Sequence, residues 1–175
     1  MDGPLIRPAG ADDVPQIARL HLASYRAAYG DVLPAAFLAG LTLADRERRW
    51  QASVRDPARH TLITTINNAN VSGLIAFAEI GAGRDDDAGP AVGELIAMHV
   101  AEEYWHRGIG RMLHGHVAAA LAGRGFAAGT LWVLTGNRRA RVFYAALGWA
   151  PDGHARDQEV SGIRIPEVRY RIRLG

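Results

Sequence analysis

Between Glu94 and Leu113 the chain reads ELIAMHVAEEYWHRGIGRML. This is an apolar run of strand length, a short polar turn, two glycines one residue apart, and the start of a helix. A strand that feeds a helix through glycines leaves the first N–H groups of the helix without intrahelical acceptors. The helix dipole adds positive character at the same end. Arg107 and Arg111 flank Gly108 and Gly110 and bring more positive charge. The stretch reads as a cradle for a diphosphate, although an ordinary βα turn would use glycines in the same way.

Two nucleotide motifs compete for it and neither fits. A dinucleotide fingerprint needs a third small residue after G-x-G, and Gly110 is followed by Arg111, Met112 and Leu113. A P-loop needs a lysine, and all 20 basic residues are arginine. The absence of Lys also excludes Schiff-base chemistry. The absence of Cys excludes disulfides, thiolate metal sites and a Cys nucleophile. The formal charge is only +2 beside a pI near 9.4, so a general nucleic-acid surface is poorly supported.

At 175 residues the chain suits one domain, residues 1–175, with a sizeable core. No apolar run reaches the ~18 residues of a membrane span, and the N-terminal stretch MDGPLIRPAG lacks a signal-like apolar core. The expectation is a cytoplasmic protein. Periodicity and turn residues predict strands at 5–8, 60–67, 71–80, 92–100, 129–135, 149–157 and 165–174. They predict helices at 12–30, 34–41, 43–54, 109–122 and 137–147, with turns at Asp31–Pro34 and Asn67–Asn70. The order β, α, α, β, β, β, α, β, α, β, β is α/β with a mixed sheet rather than a βαβ ladder.

Two blocks in this order resemble the GNAT superfamily of N-acetyltransferases. The first is Val100 to Gly110, similar to that family's Val, turn, Gln/Arg-x-x-Gly-x-Gly/Ala motif. The second is Leu131 to Asn137 followed by Ala140 to Trp149, similar to its strand, Asn, helix, Phe-Tyr, Leu-Gly-Phe pattern. Trp105 stands where the motif has Gln or Arg, and packing of Trp105 on neighbouring apolar atoms is expected. The resemblance implies a mixed, mostly antiparallel sheet of about seven strands flanked by helices. It implies acetyl-CoA as co-substrate, with the backbone of Met98, His99 and Val100 along the pantetheine arm. The amides of His106, Arg107, Gly108, Ile109, Gly110 and Arg111 would take the phosphates. It further implies a small-molecule or peptide amine as acceptor, with no nucleic acid or membrane partner, and a homodimer as one assembly seen among relatives. The alternative is a non-catalytic acyl-CoA-binding module.

On the helix from Asn137, Arg141 and Tyr144 follow at four and seven residues. At about 100° per residue all three share a face. The resemblance makes Tyr144 the general acid for the departing thiolate, and Asn137 and Arg141 cofactor contacts. A phenol of pKa near ~10 keeps its proton at neutral pH. A lysine-like amine of pKa ~10.4 is neutral in only about one molecule in 2500 at pH 7, a gap of ~4.6 kcal/mol. Glu94 is therefore expected as general base, as in relatives, with a strand-end salt bridge or a solvated carboxylate as its other reading and His99 in reserve. The oxyanion of the tetrahedral intermediate would lie near the Val100 amide. Asp85–Asp86–Asp87 reads as a solvated loop or a lure for a cationic acceptor, and Arg138 and Arg139 as neighbours of the 3′-phosphate or as an exposed helix start. His114 and His116 are two apart on a helix and face different ways, so no metal is expected.

Overall fold

A β-bulge in the strand before the glycine turn sets the architecture. The computed structural model of the chain describes residues 3–30, 33–67, 72–160 and 163–175. Asp31 and Val32 of the first expected turn, Asn68 to Asn70 of the second, and Val71 at the expected strand start lie outside them. The strands are β1 (Leu5–Pro8), β2 (Arg59–Asn67), β3 (Ser72–Ala82), β4 (Val92–Val100), β5 (Ala128–Leu134), β6 (Ala150–Val160) and β7 (Ile163–Arg173). They form one sheet in the order β1-β2-β3-β4-β5-β7-β6. Only β4 and β5 run parallel. The helices are α1 (Val14–Tyr29), α2 (Ala35–Gly40), α3 (Leu43–Arg55), α4 (Ile109–Gly123) and α5 (Arg138–Ala145). None of the described helices is long and apolar enough to cross a membrane.

Two layers of side chains cover the sheet. On one face Val14, Ile17 and Ala18 of α1 and Trp50 of α3 close over Ile63 and Phe77. On the other, Ile109, Leu113, Val117 and Leu121 repeat at helical spacing along α4 and meet Ala76, Ala78, Ile80 and Leu95. Full burial of each large apolar side chain contributes about 1.5–3 kcal/mol, so both helical layers are held by their apolar stripes. α2 packs Phe37, with Leu33 and Leu41, against Ile165 of β7.

In β4 the register pairs Glu79 with Ala97 and Ile80 with Leu95, so Ile96 has no cross-strand partner. Such a bulge reverses the alternation of side chains and increases local twist. Leu95, Met98 and Val100 accordingly pack on the α4 side. Ala97 joins the α1–α3 layer, and the His99 ring lies 5.2 Å from that of Phe77. β4 pairs with β5 only over Val92–Glu94 against Ala128–Thr130. Beyond Glu94, β4 continues to Val100 along β3, while β5 continues to Leu134 along β7. The sheet is parted at the carboxyl ends of its two central strands.

The acidic loop before β4 is not simply solvated. Arg169 of β7 is buried. It donates from Nε to Asp152 (2.7 Å) and from Nη1 to Asp85 (3.0 Å), and it bridges both oxygens of Asp87 at 2.5 and 2.6 Å. Trp132 Nε1 donates to both Asp85 oxygens at 3.1 Å. Asp85 and Asp87 thus tie the loop to β5 and β7, which corrects the expectation of a solvated run or a lure.

Removing one partner of a buried ionic cluster leaves charges uncompensated, so Arg169→Met should lower unfolding free energy by about 3 kcal/mol in urea titration. The hydrogen bond from Arg169 lowers the Asp87 pKa from 3.8 to about 2. A depressed folded-state pKa stabilises above the unfolded value and ceases to do so as pH falls through the folded one. Thermal scans from pH 5 to 2 should therefore show a steep loss of stability between about pH 4 and 2, shallower in Arg169→Met.

Candidate active site

The turn after β4 begins with the Ala101 N–H donating to Ile75 O at 2.9 Å and continues as a tight turn over Glu102–Tyr104. His106 (φ 59°) and Gly108 (φ 81°) then adopt left-handed conformations that aim the chain into α4. Gly108 is glycine because an L side chain is strained there. Gly110 is glycine because a Cβ would come within 3.2 Å of the Phe143 ring. The first backbone bond of the helix is Met112 N–H to Gly108 O. Every amide from His106 to Arg111 lacks a backbone acceptor among the described residues. This is the open anion site expected from the glycine pattern.

These amides open into a cavity of about 700 Å³ whose walls include Met98, Val100, Arg111, Arg138, Phe143 and Tyr144. Of the residues expected to hold a cofactor, Met98, Val100, His106, Gly108, Gly110 and Arg111 line it. The Ile109 side chain is core, and Arg107 lies over the Tyr104 ring at 5.6 Å, so both offer their backbones.

Trp105 does more than pack on apolar atoms. Its Nε1 donates to Val100 O at 2.8 Å, and the Arg139 guanidinium lies 3.3 Å from its ring centroid. The indole therefore ties the end of β4 to α5.

A second cavity, of about 450 Å³, lies on the α1–α3 side of the parted strands. Met98, Val100, Trp105, Arg139, Ala140 and Tyr144 line both cavities, so the two meet there. The Tyr144 hydroxyl makes no hydrogen bond among the described residues, and desolvation raises its pKa above the ordinary 10.0. His21, His99, Arg46, Arg49 and Arg84 line the second cavity only. His21 Nδ1 accepts from Trp50 Nε1 at 2.9 Å, so its proton sits on Nε2. Burial, with Arg49 nearby, pushes the His99 pKa down to about 3. Its imidazole is neutral throughout the physiological range.

Three expected site residues sit elsewhere or are already engaged. Glu94 is buried beneath Arg84, which bonds both carboxylate oxygens at 2.6 and 2.8 Å and adds its backbone N–H at 3.2 Å. Glu94 lines neither cavity. Asn137 caps α5 by accepting from the Ala140 N–H at 3.1 Å and lines the second cavity, not the first. Arg141 lines neither: it donates to Thr135 O (3.1 Å) and to the Tyr170 hydroxyl (3.2 Å). It therefore does not share the cavity-facing side of α5 with Tyr144. His114 accepts from Trp149 Nε1 at 2.8 Å inside the core.

Sequence reasoning missed His21, Arg46 and Arg49. The two arginines are three apart on α3 and so share a side. Nothing in their spacing says that this side meets a cavity formed by a strand more than forty residues later.

The family model described as the acetyltransferase (GNAT) family matches residues 16–149. The uncharacterized N-acetyltransferase YuaI of Bacillus subtilis (strain 168) is 30% identical over 164 residues, covering 93% of this chain and 89% of the relative. Among solved structures, PaiA N-acetyltransferase from Thermoplasma acidophilum in complex with coenzyme A matches at TM-score 0.76 and 15% identity, over 98% of this chain and 99% of that one. The ribosomal-protein-S18-alanine N-acetyltransferase from Escherichia coli matches at TM-score 0.68 and 20% identity, over 98% and 94%. At such identities these structures speak for the fold.

Trp105→Phe keeps a ring for Arg139 but strips the Val100 carbonyl of its donor. The expected result is a loss of about 1 kcal/mol of unfolding free energy in urea titration, with the folded content by circular dichroism unchanged.

Proposed function

The chain belongs to the acetyltransferase (GNAT) family, and from that premise we propose that it moves an acetyl group from acetyl-CoA to the primary amine of a small molecule or peptide by direct attack. The observation that carries this reading is the meeting of the two cavities at Tyr144, one of them lined by the unpaired amides of the glycine turn. The residues present fit the co-substrate. A row of free N–H groups with Arg111 and Arg138 beside it matches a diphosphate bearing further phosphate. The mostly apolar wall from Met98 to Phe143 suits the pantetheine arm.

Acetyl-CoA supplies the activated acyl group. The amine lone pair forms the new C–N bond, the C–S bond breaks, and the thiolate leaves. Tyr144 donates its phenolic proton to the sulfur and is reprotonated from solvent. A phenol held above its usual pKa carries that proton at any physiological pH. A backbone N–H near Val100 stabilises the oxyanion.

Both Glu94 oxygens are held by Arg84, and the carboxylate is outside the cavities. In this reading Glu94 positions Arg84 and does not take the amine proton. His99 is neutral, lines the acceptor cavity, and its ring makes no hydrogen bond among the described residues. Its free nitrogen accepts a hydrogen bond from the attacking amine, and the amine's proton leaves to water, because an imidazole whose pKa is held at about 3 does not keep it. His21 cannot accept in this way, because the nitrogen free of a proton is already bonded to Trp50.

Thiol release on incubation with acetyl-CoA and a broad amine panel tests the activity. Saturable cofactor binding with no amine acetylated would favour the non-catalytic alternative. Tyr144→Phe should lower kcat by about 10²-fold while leaving the calorimetric affinity for acetyl-CoA unchanged. The His99 pKa is low and the Tyr144 pKa high, so neither changes state between pH 6 and 9. The expected kcat/KM rises about tenfold per pH unit up to the acceptor's own pKa. A plateau set by an enzyme group near neutrality would contradict these roles.

A further inference from the structure

The cavity beyond Tyr144 is built for an anion as well as an amine. Arg46 and Arg49 both line it, and Arg46 Nε and Arg49 Nη1 are buried with no hydrogen-bond partner among the described residues. Buried guanidinium donors are rarely left unpaired, because each such atom forfeits its hydration. Arg46 forms no ion pair among the described residues. Aromatic rings hold both side chains: Arg46 Cζ lies 5.7 Å from the Tyr25 centroid and Arg49 Cζ 4.3 Å from that of Trp50.

The carboxylates around this cavity are already committed. Glu79 takes Arg49 Nη2 at 2.9 Å and the Ser53 hydroxyl, with Arg59 at 3.9 Å. Glu94 is held by Arg84. Glu167, the one acidic residue lining the cavity among those described, accepts Arg156 Nε and Nη2 on a single oxygen at 2.8 and 2.7 Å. Among the described residues each of these carboxylates already has a guanidinium partner, whereas Arg46 Nε and Arg49 Nη1 have no acceptor. The two imidazoles on the wall are neutral and oppose neither.

We propose that the acceptor carries its amine and a carboxylate on one small molecule, an amino acid or close analogue, with the carboxylate on Arg46 and Arg49 and the amine toward His99 and Tyr144. This rests on the transferase reading above. Arginine suits the role because its planar fork matches a carboxylate in two parallel hydrogen bonds. The cavity, at about 450 Å³, accommodates a small molecule of this kind.

The test compares free amino acids with their amides and their decarboxylated amines, following thiol release from acetyl-CoA. In parallel, N-acetylated amino acids and N-acetylated amides are titrated calorimetrically into protein saturated with CoA. Free amino acids should be preferred at least about tenfold in kcat/KM. Arg46→Gln should abolish that preference and Arg46→Lys restore part of it. Arg46 is the position to change because replacing Arg49 would strand Glu79 in the core and confound folding with recognition. Preference for decarboxylated amines or amides, or an undiminished preference in Arg46→Gln, would overturn the inference and leave the transferase reading intact. The calorimetric arm needs no turnover. Carboxylate binding lost in Arg46→Gln, with no amine acetylated, would support the anion site while the transferase reading fell. No binding by any carboxylate ligand in the panel would overturn the inference.

Discussion

The parting of β4 from β5 is the constraint on which the rest of the molecule depends. Three residue pairs, Val92–Ala128 to Glu94–Thr130, hold the two strands in parallel. Past them each strand keeps only its outer partner. An open wedge of this kind exposes backbone groups and would be unfavourable in an ordinary core. It persists because both flanks are paired along their length, by β3 on one side and β7 on the other. It is also spanned above. Trp105 caps the Val100 carbonyl and stacks beneath Arg139, so the turn after β4 and the first turn of α5 are joined across the gap.

The closed end of the wedge has its own reinforcement. Glu94 is buried where the pairing stops, and Arg84 covers it with a bidentate contact and a backbone N–H. The same loop carries Asp85 and Asp87 onto Arg169. Charged groups that a sequence reading assigns to chemistry or to solvent are here spent on holding loop, β4, β5 and β7 in one arrangement. A single buried guanidinium on β7 serves three carboxylates, two from the loop and Asp152 from β6.

Much of the fold was legible because local signals and tertiary structure agree. The alternation in β7, the α4 stripe and the glycine turn each gave their element nearly its observed limits. The unpaired amides were legible for the same reason, since Gly108 and Gly110 act through backbone geometry. Side-chain assignments fared differently. Helical spacing grouped Arg141 with Tyr144, yet the Thr135 carbonyl and Tyr170 hydroxyl, set by β7, draw Arg141 to the other side. Glu94 could not be separated from a catalytic carboxylate without knowing that the loop ten residues earlier folds Arg84 over it. The second cavity was invisible because α1, α3, β4 and β5 contribute to it together, and no local pattern encodes that convergence.

The unpaired Ile96 has a consequence for how such a protein can diversify. Downstream of it, Met98 and Val100 belong to the wall that both cavities share, whereas Ala97 and His99 address only the cavity on the helix-pair side. Parity along four residues thus separates two surfaces. Substitutions at odd positions can reshape what enters from one side without disturbing the even-numbered wall, and deletion of the unpaired residue would exchange the two sets at once.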